Sequence, residues 1–150
     1  ADLSHDPNEL SEKLNFFRTN NCDLLVSSRY LNDSRIINWS IQRKIFSLLS
    51  NKLARFLLKV PITDYTNGYR IYSKQAIKHI TKKCGRIGGE FIILSEILVE
   101  LYYNNFKILE TSTIFKNRVR GESSVNLKEI INSLFGLIKI FKLKKKLENS

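Results

Sequence analysis

A chain of 150 residues with 43% hydrophobic side chains can bury the core of one domain. Its net charge of +11 suits an anionic partner (nucleic acid, a phosphorylated small molecule or an anionic lipid surface), although abundant Lys, Asn and Ile make compositional background an equal source of that charge. Cys22 and Cys84 stand too far apart in sequence for a zinc pattern or a disulfide framework, and two histidines, His5 and His79, leave little for His-based acid–base catalysis.

The segment PNELSEKLNFFRTN reads as a helix, with Pro7 in its first turn, acids early, and Leu10, Leu14 and Phe17 at helical spacing. CDLLVSSRY follows as a short buried strand from Asp23 to Ser27 with a polar tip, and Asn32, Asp33 and Ser34 make a loop. Residues 38–60 read as a long helix with apolar positions Ile41, Ile45, Leu48, Leu49, Leu53, Phe56 and Leu57. PITDYTNGYR breaks it as a loop. A short helix then lies in IYSKQAIKHITKK, N-capped by Ser73.

GGEFIILSEILVELYYNN is apolar enough to be a buried helix, and FKILETSTIF reads as a strand before the basic loop KNRVRGESS. The tail is expected to be an amphipathic helix. Leu127, Ile130, Ile131, Leu134, Ile138 and Phe141 share one face, and Lys128, Lys139, Lys142 and Lys144 to Lys146 lie on or near the other. Such a helix suits a membrane surface or, equally, packing on the core. The apolar stretch from Leu134 to Phe141 is cut by Lys139 and is too short to span a bilayer. Helices and strands interleave, which suggests an α/β layer architecture.

Four constellations could carry chemistry. ADLSHDP places Asp2 where a strand would pass into a loop and helix, the position at which open α/β sheets bind ligands, although Asp is also a common turn residue. SSRY puts Arg29 at a strand tip. Arg43 and Ser47 lie one turn apart on the long helix, a guanidinium fork beside a neutral donor, as a phosphate clamp requires. A surface Arg and an ordinary helix Ser would look the same. DYTNGYR crowds Asp64, Thr66, Asn67 and Arg70 around Gly68, and FKNRVRGESS sets Arg118 and Arg120 on a glycine-containing loop suited to a diphosphate.

In this order and spacing, ADLSHDP, SSRY, Arg43 with Ser47, DYTNGYR, Glu96 and the Arg118–Ser123 loop resemble the family 2 glycosyltransferases. Within them they resemble the dolichyl- or polyprenyl-phosphate mannosyltransferases. The resemblance covers nearly the whole chain. It implies an α/β fold: the C-terminal part of a GT-A type nucleotide-diphospho-sugar transferase domain over residues 1–125, with a mixed sheet flanked by helices, and an amphipathic basic tail helix over 126–150. Ala1 and Asp2 would be the second and third residues of the family's Asp-Ala-Asp motif, so the chain is expected to be a C-terminal portion, inactive alone.

The resemblance further implies that Asp2 ligates a divalent metal, Mg²⁺ or Mn²⁺. Donor binding would fall to Ala1, Asp2, Ser4, Asp64, Asn67, Arg118 and Arg120, and acceptor-phosphate binding to Arg29, Arg43 and Ser47. Asp2, Arg43 and Arg118 would be the catalytic residues, and Glu96 matches an acidic position of the buried helix. Ser4 stands where related enzymes often have Gln. Ser124 stands where the family has a phosphate-contacting Lys, a role Arg120 could take over.

The implied reaction transfers a sugar, mannose from GDP-mannose, to a polyprenyl phosphate with inversion, at the cytoplasmic face of a membrane and by a peripheral protein. The pattern also accommodates glucosyl and N-acetylglucosaminyl transfer. A reading of another class is a non-catalytic basic module for a membrane surface or nucleic acid. No nucleic acid is expected, because the aromatics sit mainly at apolar helical positions and not on a basic surface.

Overall fold

The structure, a computed structural model, describes residues 4–88, 91–116 and 127–149. In chain order the elements are α1 (Glu9–Thr19), β1 (Leu24–Ser28), β2 (Arg35–Ile37), α2 (Ile41–Leu58), β3 (Arg70–Tyr72), α3 (Lys74–Lys83), α4 (Phe91–Tyr103), β4 (Ile108–Ser112), β5 (Ile114–Lys116) and α5 (Leu127–Glu148).

The fold is α/β, with a mixed sheet ordered β3-β1-β4 and flanked by helices. β3 runs antiparallel to β1, pairing Leu24 with Tyr72 and Val26 with Arg70. β4 runs parallel, pairing Leu24 with Ile108 through Ser28 with Ser112. As the middle strand, β1 is covered on both faces, which is why LLVSS is an unbroken buried run and not an alternating one. Leu24 and Val26 pack with Leu98 and Leu101 of α4, Leu58 of α2, Ala76 of α3 and Ile140 of α5. This arrangement is consistent with the partial GT-A domain that the resemblance implies.

A second, two-stranded parallel sheet joins β2 to β5, with Arg35 opposite Ile114 and Ile37 opposite Lys116. The sequence reading puts a loop at 32–34, assigns no strand to 35–37, and takes 106–115 as one strand. Instead Thr113 divides that strand, so that β4 serves the main sheet and β5 the small one. β3, where the sequence reading assigns no strand, forms because β1 offers its edge.

The helices lie where the periodicity puts them, and Ser73 caps α3 by accepting from the Ala76 N–H at 3.1 Å. Ser40 caps α2 in the same way, and Lys59 ends α2 in a left-handed conformation at φ 61°.

The orientation of α2 is less expected. Its buried residues are Asn51, Ala54 and Leu58. The apolar stripe faces outward, with Ile41 76%, Leu49 59% and Phe56 67% exposed, alongside Ile45 and Leu53. α5 packs on α4 and α2. In its described part, Ile140 and Lys144 are buried and Phe135 and Ile138 are exposed, so Ile138 does not lie on the buried side. No helix among the described residues is long and apolar enough to cross a membrane.

Candidate active site

The loop between α2 and β3 is built around Asp64, which is fully buried. Arg29, at the C-terminal tip of β1, grips it with Nε donating to Oδ2 at 2.7 Å and Nη2 donating to Oδ1 at 2.8 Å. The backbone N–H groups of Arg29, Thr66 and Asn67 also donate to the carboxylate. Burial opposes the charge on Asp64, but the Arg29 guanidinium and these N–H donors outweigh it and hold the carboxyl below its ordinary value. The same pairing outweighs burial at Arg29 and raises its pKa. An aspartate so engaged is a structural anion, not a base awaiting a proton.

Asn67 is likewise committed. Its Nδ2 donates to the Ser27 carbonyl at 2.5 Å, and its Oδ1 accepts from the Tyr69 N–H and from His5 Nε2 at 3.1 Å. Arg70 ties the loop shut from below: Nε, Nη1 and Nη2 donate to the carbonyls of Asn67, Leu94 and Tyr65 at 2.8 to 2.9 Å. Burial draws its pKa below the usual guanidinium value, yet a guanidinium stays charged. Thr66 joins them, its Oγ1 accepting from Arg29 Nη2 at 2.7 Å, so Asp64, Thr66, Asn67 and Arg70 all build the loop through their side chains.

Glu110 on β4 completes the frame, and nothing in the local sequence singles it out. Both of its oxygens accept from the Thr63 N–H at 2.9 Å, and Oε1 also accepts from Thr63 Oγ1 at 2.9 Å and from the Asp64 N–H at 3.2 Å. Burial raises its pKa against these donors, and the Asp64 charge adds to the rise. The sequence offers only an acid directly after the apolar pair Ile108 and Leu109, with polar Thr111 and Ser112 following.

Ser4 and His5 reach this loop from the N-terminal side. The Ser4 carbonyl accepts from the Lys116 N–H at 2.9 Å, and Ser4 itself is buried. His5 bridges to Phe115, and its ring lies 4.5 Å from that of Tyr69. The segment that follows Asp2 is thus bound to both the DYTNGYR loop and β5. Ala1, Asp2, Arg118, Arg120 and Ser124 lie outside the described residues. Among the described residues no group of three or more His, Cys, Asp and Glu could hold a metal ion.

The acceptor candidates do come together. Trp39, just before α2, is the meeting point: the Arg43 guanidinium lies 4.1 Å from its ring centroid and that of Arg29 lies 5.2 Å away. Ser47, one turn beyond Arg43, accepts from the Tyr30 hydroxyl at 2.5 Å. Arg29, Arg43 and Ser47 therefore border one aromatic cluster beside the Asp64 loop. Arg29 brings Nε and Nη2 already engaged with Asp64. Glu96 lies elsewhere, buried within α4, where its Oε2 accepts from the N–H of Gly85, just after α3, at 3.1 Å.

No family model matches the chain. Curated relatives do. It is 31% identical over 135 residues to the polyprenol monophosphomannose synthase of Mycolicibacterium smegmatis, across 90% of this chain and 50% of that protein. It is 32% identical over 144 residues to the dolichol-phosphate mannosyltransferase of Pyrococcus furiosus, across 95% of this chain and 39% of that protein. It is 35% identical over 80 residues to the undecaprenyl-phosphate mannosyltransferase of Micrococcus luteus, across 53% of this chain and 32% of that protein. The chain spans half or less of the length of these relatives. In sequence the chain is similar to polyprenol-, dolichol- and undecaprenyl-phosphate mannosyltransferases, which supports its resemblance to the family 2 glycosyltransferases.

Proposed function

We propose that this chain is the acceptor-binding portion of a polyprenyl-phosphate mannosyltransferase that works at a membrane surface. The observation that carries the reading is the two-sided character of α2. One side presents Arg43 and Ser47, a turn apart, beside the Arg29–Asp64 pair. The outward stripe is apolar from Ile41 to Phe56. A lipid phosphate asks for this combination, with cationic and hydroxyl donors for the headgroup and apolar surface at the depth of the hydrocarbon boundary. The printed names of the relatives support the same acceptor class.

In the proposed reaction an oxygen of the acceptor phosphate attacks the anomeric carbon of the sugar. A new carbon–oxygen bond forms as the bond to the donor diphosphate breaks, and the nucleoside diphosphate leaves with that electron pair. One in-line displacement inverts the anomeric centre. The attacking oxygen is already anionic at neutral pH, so a strong general base is not required, in keeping with an Asp64 that is fully occupied. Arg43 and Ser47 orient and neutralise the acceptor phosphate, with Arg29 beside them.

The donor is proposed to be GDP-mannose, held by Arg118 and Arg120. Asp2 is proposed to ligate Mg²⁺ or Mn²⁺, which when bound would stabilise charge on the leaving diphosphate. The location is proposed to be the cytoplasmic face of a membrane, reached peripherally through α2.

The test is transfer by the full-length protein in membranes, with labelled GDP-mannose and a polyprenyl phosphate, in Mg²⁺ or Mn²⁺ against chelator. Label entering the lipid phase supports the reading. Label entering only from UDP-glucose or UDP-N-acetylglucosamine replaces the sugar but keeps the acceptor. No transfer from any of these donors overturns it.

A further inference from the structure

We infer that Trp39 and Tyr30 are positioning residues of the acceptor-phosphate site, Trp39 for Arg43 and Tyr30 for Ser47. The inference rests on the reading above, in which Arg43 and Ser47 receive the lipid phosphate. Neither aromatic lies on α2; both fix the groups that α2 presents.

Arg43 is a long side chain near the start of α2, and ordering it costs rotamer entropy. The Trp39 indole offsets that cost by giving the guanidinium a face to lie on, at 4.1 Å from the ring centroid. Trp39 is itself held. It is 9% exposed and meets Phe115 edge to face at 5.3 Å. Among the described residues its Nε1–H has no hydrogen-bond partner. A buried indole usually finds one, so the N–H is not what fixes this ring. The contribution of Trp39 lies in the ring itself, which contacts Arg43 and Arg29.

Tyr30 acts on the second group. Its hydroxyl donates to Ser47 Oγ at 2.5 Å. A serine oxygen that accepts one hydrogen bond keeps its own proton for another acceptor, directed away from the donor. Ser47 is thereby set to donate to a phosphate oxygen. Tyr30 is also braced, since Arg29, anchored on Asp64, lies 5.6 Å from its ring. The ion pair is thus a post against which both aromatics stand, and through them it sets the spacing of the two acceptor groups.

The test uses full-length protein with Trp39→Leu, Trp39→Phe and Tyr30→Phe, assayed with GDP-mannose and polyprenyl phosphate in detergent micelles. Retention on phosphatidylcholine vesicles with and without polyprenyl phosphate reads the acceptor site without turnover. Trp39→Leu and Tyr30→Phe are each expected to raise the acceptor KM about fivefold and leave the donor KM unchanged. Trp39→Phe, which keeps a ring face and removes the N–H, is expected to stay within about twofold of wild type.

Unchanged acceptor KM in Trp39→Leu and Tyr30→Phe overturns the inference. So does a parallel rise in both KM values, the mark of general loosening, or a Trp39→Phe as impaired as Trp39→Leu. If wild type transfers nothing, yet loses polyprenyl-phosphate-dependent retention in Trp39→Leu and Tyr30→Phe, the transferase reading falls and the positioning stands. Equal retention in all four proteins overturns the positioning.

Discussion

Arg29 and Asp64 form a bidentate ion pair across 35 residues of sequence, with both side chains almost wholly out of solvent. Removing one partner of such a pair leaves an uncompensated buried charge, which costs about 3–5 kcal/mol. Asp64→Asn is therefore expected to destabilise the full-length protein by that order, and Asp64→Asn with Arg29→Met by less, because the stranded cation is gone. Urea unfolding of the three proteins checks this. A double variant no more stable than Asp64→Asn would show that the pair is not what holds the loop.

The same pair fixes the sign of a pH dependence. The folded-state pKa of Asp64 lies below its ordinary value of 3.8, so the folded state binds the proton less tightly than the unfolded chain does. The stabilisation is fully present above 3.8 and is lost as pH falls from there through the folded-state value. Glu110 has the opposite sign. Its pKa is raised above 4.5, so its ionisation removes stability as pH rises through the folded-state value. Asp64→Asn should flatten the acid loss of stability and Glu110→Gln should steepen it. Urea midpoints at about pH 6 and about pH 3 measure both slopes.

How much of this could be read in advance depends on the range of the interaction. Local signals were sufficient for α1 to α4, for β1 within a residue, and for the Ser73 cap, because periodicity and capping act within a turn or two. β2, β3 and β5 are three-residue strands whose identity comes from partners far along the chain, as when Arg70 pairs with Val26. Glu110 escaped for the same reason, since its partners Thr63 and Asp64 lie 47 and 46 residues away. The α2 stripe was legible as a pattern but not as a direction. Helical spacing of Ile45, Leu49 and Phe56 is the same whether a core or a membrane covers them, and only the placement of Asn51, Ala54 and Leu58 shows which side is buried. Arg43 and Ser47 were singled out by spacing, whereas the Trp39 ring and the Tyr30 hydroxyl beside them were not.

Glu110 gives a further test of how the loop is held. Glu110→Ala leaves the N–H groups of Thr63 and Asp64 and the Thr63 hydroxyl without this acceptor. The expected cost is about 1–3 kcal/mol, and amide exchange in residues 60–70 should rise ahead of exchange in α4. Uniform loss of protection would mean that Glu110 serves the whole fold and not this loop.

The proposed membrane attachment through α2 makes a prediction separable from folding. Ile45, Leu49 and Phe56 are exposed, so polar substitutions there remove little from the core. Ile45→Ser with Leu49→Ser is expected to leave the thermal midpoint nearly unchanged and to lower partition onto phospholipid vesicles about tenfold, as loss of two apolar contacts at the interface implies. Sedimentation with vesicles measures this. Unchanged partition in the double variant would turn attention to Phe135 and Ile138, the exposed apolar residues of α5.

The kinetic consequence of the proposed acceptor site follows from where Arg43 sits. It lies against Trp39 on the α2 side of the cluster, whereas Arg29 has Nε and Nη2 committed to Asp64. Arg43→Ala should therefore remove acceptor recognition without unmaking the loop. The expected result is an acceptor KM raised about tenfold, together with a fall in kcat if the guanidinium also neutralises the phosphate as it attacks. Arg43→Lys keeps the charge but not the fork, and should recover only part of the loss. Arg29→Lys should instead fail chiefly in stability, because an ammonium cannot span both Asp64 oxygens as the fork does. Thermal midpoints beside acceptor and donor KM values for the three variants separate these roles. An Arg43→Ala enzyme with wild-type acceptor KM would remove Arg43 from the acceptor site.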